Sequence, residues 1–212
     1  MKRPVWAVLV LLGVAAAVIY AADQLSKLWV INTLEEGVSK PVLGDFLHFY
    51  FVRNPGAAFS MASGSTWIFT ILAAVITVVI IVFAKRIRSI AWALVFGLLL
   101  GGTLGNLTDR LTKPNGDGVV VVGNGHVIDF ISTPWMMPAI YNVADMAIVS
   151  SMILLVLLTV LGIRLDGTRE PRKKKTSRSG KEESTLITAS TGSDVHPSTP
   201  GDSGADGGSS GD

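Results

Sequence analysis

The chain has 212 residues, 49% of them hydrophobic, and 18 basic against 16 acidic residues leave a formal net charge of +2. It contains no cysteine, which excludes a disulfide framework, a thiol nucleophile and a thiolate metal site. Hydropathy divides it unevenly. Residues 1–165 are strongly apolar, whereas from Asp166 the sequence turns to Gly, Ser, Thr, Pro, Asp and Lys. Such a tail buries too little to offset its ordering entropy, so 166–212 is expected to be disordered and 1–165 to form the folded domain.

Four runs reach the roughly 20 apolar residues that cross a bilayer. They are Val5 to Ala22, Trp67 to Ala84, Ile90 to Leu107 and Ala139 to Leu161. The first is long for the apolar core of a cleaved secretory signal, and further spans follow it. Lys2 and Arg3 precede span one, Lys85, Arg86 and Arg88 link spans two and three, and Arg164 to Arg178 is densely basic. The positive-inside rule then places both termini in the cytoplasm and both long loops outside.

Span one ends in Asp23-Gln-Leu-Ser-Lys27. On a continuing helix Asp23 and Lys27 are four apart and can pair, which on its own reads equally well as a surface ion pair at a helix end. The following loop carries Phe46-Leu-His-Phe-Tyr-Phe-Val52, an aromatic run suited to a strand at headgroup level. Asn54-Pro55-Gly56 is a turn signal, and the small residues from Gly56 onward leave room for a close backbone approach.

Span three ends in Gly101-Gly-Thr-Leu-Gly-Asn-Leu-Thr-Asp-Arg110. Gly97, Gly101 and Gly105 form a small-residue stripe of the kind that lets membrane helices approach closely. Asn106, Asp109 and Arg110 share one face at the helix end, and a buried Asp109–Arg110 ion pair is the leading expectation for them. Next, Val119 to Val122 and His126 to Ile131, on either side of Gly123-Asn-Gly125, suggest a hairpin that carries Asp129 among apolar neighbours. Asn142 and Asp145 begin span four, where Asn is a good helix cap and an acid in the first turn suits the helix dipole.

Asp129 and Asp145 are the candidates for chemistry. A carboxylate beside a membrane span is costly and implies a role. Local helix capping explains Asp145 by itself, but not a second isolated acid at Asp129. At about 4 Å and an effective dielectric near 20, two carboxylates repel by about 4 kcal/mol, so a close pair shares one proton. The ionised member can activate water while the protonated member polarises a scissile carbonyl, with neither metal nor cofactor. The apolar flanks of Asp129 make it the expected proton holder, and Asp145 the base.

Together these strings resemble the bacterial lipoprotein signal peptidases, or signal peptidase II. The resemblance spans residues 5–165 and rests on Asp23-Gln-x-x-Lys27, Asn54-x-Gly-Ala-Ala-Phe-Ser60, Gly101-Gly-x-x-Gly-Asn-x-x-Asp-Arg110, Val127-x-Asp-Phe130 and Asn142-x-Ala-Asp145. It implies an all-α membrane protein, a four-helix bundle with a small extracytoplasmic β-cradle. It also implies an aspartic endopeptidase that cuts prolipoproteins just before a diacylglyceryl-modified cysteine. By motif, Asp129 and Asp145 would be the catalytic pair. Asp23, Lys27, Asn54, Gly56, Gly105, Asn106, Asp109, Arg110, Asn142 and Ala144 would bind substrate or support the site. No metal, cofactor or nucleic-acid partner is expected; the expected partners are prolipoproteins and membrane lipid, with the chain a monomer.

The stretch Thr112 to Gly125 is longer than that family leads one to expect and suggests a larger flap over the site. Two other readings compete. The acids of a small transporter would line an ion path, but they would be expected at mid-depth. A metal-dependent lipid hydrolase would use several Asp and Asn ligands.

Overall fold

A computed structural model of the chain describes residues 4–56 and 66–169. Four helices are long and apolar enough to cross a membrane: α1 (Val5–Thr33), α2 (Thr66–Phe83), α3 (Ile90–Thr112) and α4 (Val143–Val160). A four-stranded antiparallel sheet in chain order, β1 (Ser39–Leu43), β2 (Leu47–Asn54), β3 (Val127–Ser132) and β4 (Ile140–Tyr141), completes the fold. This is the architecture expected from the sequence.

The helix α3 is the hub. Half of its most apolar window is buried, against 17% for α1 and α4 and 6% for α2. Its glycines explain why. A Cβ on Gly97 would come within 2.7 Å of the Ala15 Cβ, one on Gly101 within 2.6 Å of the Ala16 carbonyl, and one on Gly102 within 2.6 Å of the Ala144 carbonyl. The stripe therefore packs α3 against α1, and the neighbouring glycine packs it against α4. The outward faces of α1, α2 and α4 expose Val, Leu and Ile, as helices solvated by lipid do.

A second apolar cluster joins the sheet to the bundle. Val30 at the end of α1 packs with Phe51, Ile128 and Phe130, all buried. The aromatic run from Phe46 is thus strand β2, as expected, and it holds β3 in register with Val52 opposite Asp129.

Two of the apolar spans are parts of longer helices: α1 continues past Ala22 to Thr33 and carries Asp23 and Lys27 on one helix, and α3 continues past Leu107 to Thr112. The last helix begins at Val143, directly after the expected cap Asn142, while Ile140 and Tyr141 pair with β3. One expectation needs correction. The proposed hairpin does not form: β3 lies between β2 and β4, and Val119 to Val122 belong to a loop. The N–H groups of Gly123 and Gly125 both donate to the Arg110 carbonyl at 3.0 Å, so the Asn-Gly turn satisfies the end of α3. A strand paired with β2 can bury Ile128 and Phe130, which explains the preference.

The segment after α4 closes on itself, with Ile163 bridged to Arg169 and the Thr168 hydroxyl bonded to Asp166 at 2.7 Å. That hydroxyl and the Thr168 N–H hold the Asp166 carboxyl below its usual range. Residues 170–212, most of the expected tail, lie outside the described residues, as do Lys2, Arg3 and the 57–60 part of the Asn54 string.

Candidate active site

The foundation of the site is a buried charge cluster. Lys27 Nζ lies 2.8 Å from Asp23 and 2.8 Å from Asp109, and all three side chains are at most 1% exposed. Buried charge is tolerable only when paired and hydrogen-bonded, and both acids have further donors. Asp23 accepts from the Ala144 N–H at 3.0 Å, and Asp109 from the Ile128 N–H at 3.2 Å. Gln24, unremarked in the sequence although inside the first string, donates to Asp23 and to the Gly105 carbonyl, both at 3.1 Å. Gly105 is glycine for space, because a Cβ there would strike the Asp23 carboxylate. The cluster thereby joins α1, α3, α4 and β3 at a single end of the bundle.

The surface ion pair considered for Asp23 and Lys27 is thus a buried one. The expected Asp109–Arg110 pair is absent, because Lys27 has taken Asp109. Adjacent residues on a helix diverge by about 100°, so the carboxylate points to α1 while the guanidinium turns away. Arg110 is 9% exposed, sits 5.7 Å over the Phe69 ring, and its Nε has no hydrogen-bond partner among the described residues.

Above the cluster lies a network of amides and acids. Asp129 is 1% exposed and accepts from Asn54 Nδ2 at 2.7 Å and Asn142 Nδ2 at 2.6 Å. Asn142 also caps α4 in a reciprocal box: its Oδ1 accepts from the Asp145 N–H at 2.9 Å, and Asp145 accepts the Asn142 N–H at 3.1 Å. Asn106 Nδ2 donates to Asp145 Oδ1 at 2.8 Å, while its own Oδ1 accepts from Lys27 at 3.0 Å and Asn142 at 3.1 Å. The capping role expected for Asn142 and Asp145 is therefore real and is part of the same network. Burial, reinforced by the charge of Asp145, pushes the Asp129 carboxyl up to about 7; Asn54, Asn142 and Lys27 oppose that rise.

Both acids line a cavity of about 640 Å³, with Asn54, Phe69, Arg110 and Tyr141 among its walls. A smaller hollow of about 270 Å³, walled by Met136, Met137 and Met146, meets the other side of Asp145 and Tyr141. Gly56 adopts φ +103°, donates to Asn54 Oδ1 at 2.8 Å, and leaves no room for a Cβ against Phe69. It shapes the turn that presents Asn54. Phe69 and Tyr141 escaped the sequence reading because each lies in an apolar run with no pattern marking it as a wall. None of residues 112–125, the stretch expected to form a larger flap, is among the residues lining the large cavity.

Comparison with known proteins extends this picture. A solved bacterial membrane enzyme, determined by the in meso method, superposes with a TM-score of 0.61 at 26% identity, covering 75% of this chain and 93% of that one. A second, of the same description, gives 0.58 at 28% identity over 69% and 90%. The chain is a multi-pass membrane enzyme of the aspartic peptidase class. It belongs to the signal peptidase II family, whose model, Signal peptidase (SPase) II, matches residues 15–161. Among relatives called lipoprotein signal peptidase, that of Leifsonia xyli subsp. xyli is 54% identical over 162 residues, 76% of this chain and 72% of the relative. The Rhodococcus jostii protein is 44% identical over 164 residues, 77% and 79%. That of Mycobacterium avium is 39% identical over 176 residues, 83% and 92%.

Proposed function

We propose that this chain removes the signal peptide from diacylglyceryl-modified prolipoproteins by cutting just before the lipidated cysteine, with Asp129 and Asp145 as its catalytic pair. The observation that carries the reading is Asn142, which bonds directly to both acids where they border one cavity. Family membership and the names of the relatives support the substrate class.

In this mechanism Asp145 takes a proton from water as the water attacks the scissile carbonyl. Asp129 holds the shared proton and donates it toward the carbonyl oxygen, so negative charge does not build up there. The high Asp129 pKa supports that division of labour. Asn54 and Asn142 fix the orientation of Asp129, and Asn106 that of Asp145. Asp23, Lys27, Gly105, Asp109 and Ala144 hold the underlying helices together, and Arg110 forms a cationic wall. The chain acts as a monomer, in contact with membrane lipid. Its termini face the cytoplasm and its sheet faces outward, in line with the distribution of basic residues. Residues 1–165 carry the activity, and the tail from 166 is dispensable.

The test is incubation of the purified full chain in lipid with a diacylglyceryl-modified precursor and its unmodified twin. Shortening of the modified precursor alone, undiminished by exhaustive chelation, supports the reading. Cleavage of both would remove the lipid requirement, and loss on chelation would favour the metal-dependent alternative.

A further inference from the structure

The loop between α3 and β3 exposes four consecutive valines. Val119, Val120, Val121 and Val122 are 54%, 56%, 40% and 76% exposed, and none belongs to a strand that could bury it by pairing. A contiguous apolar run of this kind left in water is a liability for association and aggregation. The loop is nonetheless held firmly at its base. Gly123 and Gly125 are tied to the Arg110 carbonyl, and the His126 N–H donates to the Pro114 carbonyl at 3.2 Å. The polar end is folded separately, where Asn115 accepts from the N–H groups of Asp117 and Val119, both at 3.0 Å.

Where the valines lie follows from one bond. The Thr70 hydroxyl on α2 donates to the Gly123 carbonyl at 2.6 Å. Thr70 is one turn beyond Thr66, where α2 begins, which is about 6 Å along the helix axis. Gly123 thus sits alongside the first turns of a membrane-crossing helix, with Val122 next to it in the chain. On the same side of α2, one turn before Thr70, Trp67 is 52% exposed, and Ile71 beside Thr70 is 54% exposed. Trp67 stands in the first turn of this candidate span, and tryptophan is enriched where spans meet the membrane interface.

From this continuity we propose that Val119 to Val122 form a lipid-contact wedge: the loop lies in the interfacial region of the bilayer, at the cavity end of the bundle, with its valines covered by acyl chains. The polar Asn115–Asp117 turn stays in the aqueous phase. The partner is the lipid surface itself. The inference rests on the bundle's spanning the membrane and is independent of the catalytic reading.

The absence of cysteine from the chain allows a direct test. Val121→Cys, Val122→Cys and Asp117→Cys would each carry a single environment-sensitive fluorophore on the full chain, reconstituted in phosphatidylcholine–phosphatidylglycerol vesicles. The labels at 121 and 122 should emit to the blue of the label at 117 and be quenched by lipids brominated near the headgroup end of their acyl chains. Water-like emission at all three positions would overturn the proposal. So would a blue shift at 121 and 122 with no quenching by brominated lipid, the signature of burial against a second copy or within the chain. Because cleavage of the precursor is read separately, failure of the wedge leaves the catalytic assignment untouched.

Discussion

Asn142 donates to Asp129 across 2.6 Å while capping the helix that carries Asp145, so a single side chain positions both acids. Asn142→Ala would remove a cap worth about 1 kcal/mol of stability. It would also remove a neutral hydrogen bond to the protonated Asp129, worth about 0.5–1.5 kcal/mol, for an expected loss of about two- to tenfold in cleavage rate. Steady-state cleavage and thermal unfolding should separate the two effects. Full activity in this variant would mean that the acids are aligned by something else.

The dyad itself is tested by Asp129→Asn and Asp145→Asn made separately. Each keeps the side-chain shape while removing a proton carrier, so cleavage should fall by about 10²- to 10⁴-fold, the usual range for acid–base groups. Circular dichroism should show the helices intact. Undiminished cleavage by either variant would end the two-acid mechanism.

The cluster beneath makes a different kind of prediction. Lys27→Met leaves Asp23 and Asp109 buried without their shared cation, and breaking a buried pair in this way costs about 3–5 kcal/mol. Gly105→Ala would push a methyl against the same Asp23 carboxylate and cost about 1–3 kcal/mol through overpacking. Both should lower the unfolding midpoint in detergent. A Lys27→Met protein as stable as the parent would show that the cluster is not what holds the helices.

Activity should also carry a pH signature. A carboxyl raised to about 7 keeps its proton below that pH and gives it up above. With protonated Asp129 needed at the scissile carbonyl, kcat/KM declines as the pH rises through about 7. Asn54 donates to this carboxyl and favours its anion, so Asn54→Ala should move the declining limb to higher pH. A profile flat across that range in the parent, or a limb moved to lower pH in the variant, would contradict the assignment of the proton to Asp129.

How much was readable beforehand varies by element. The spans were legible because hydrophobicity is a sum over a window and needs no knowledge of neighbours, but that sum does not show how far α1 and α3 run on, to Thr33 and Thr112. Asp23, Lys27 and Asp109 lie on those extensions, where the packed bundle buries them. The Asn142 cap was legible because its partners lie within one turn. The hairpin was misread because an Asn-Gly turn is a local signal, while the choice of β2 over Val119 to Val122 depends on the apolar cluster that β2 offers.

By itself, the order of residues determined that four helices would be apolar, which short polar strings would interrupt them, and which two acids stood out. The tertiary structure alone decided that Lys27 rather than Arg110 neutralises Asp109, and that Asn142, Asn106 and Asn54 divide two acids among them. Hydropathy and capping act over a few neighbouring residues. The partner of a buried charge is whichever group loses water at the same place, and that place exists only once distant helices have packed.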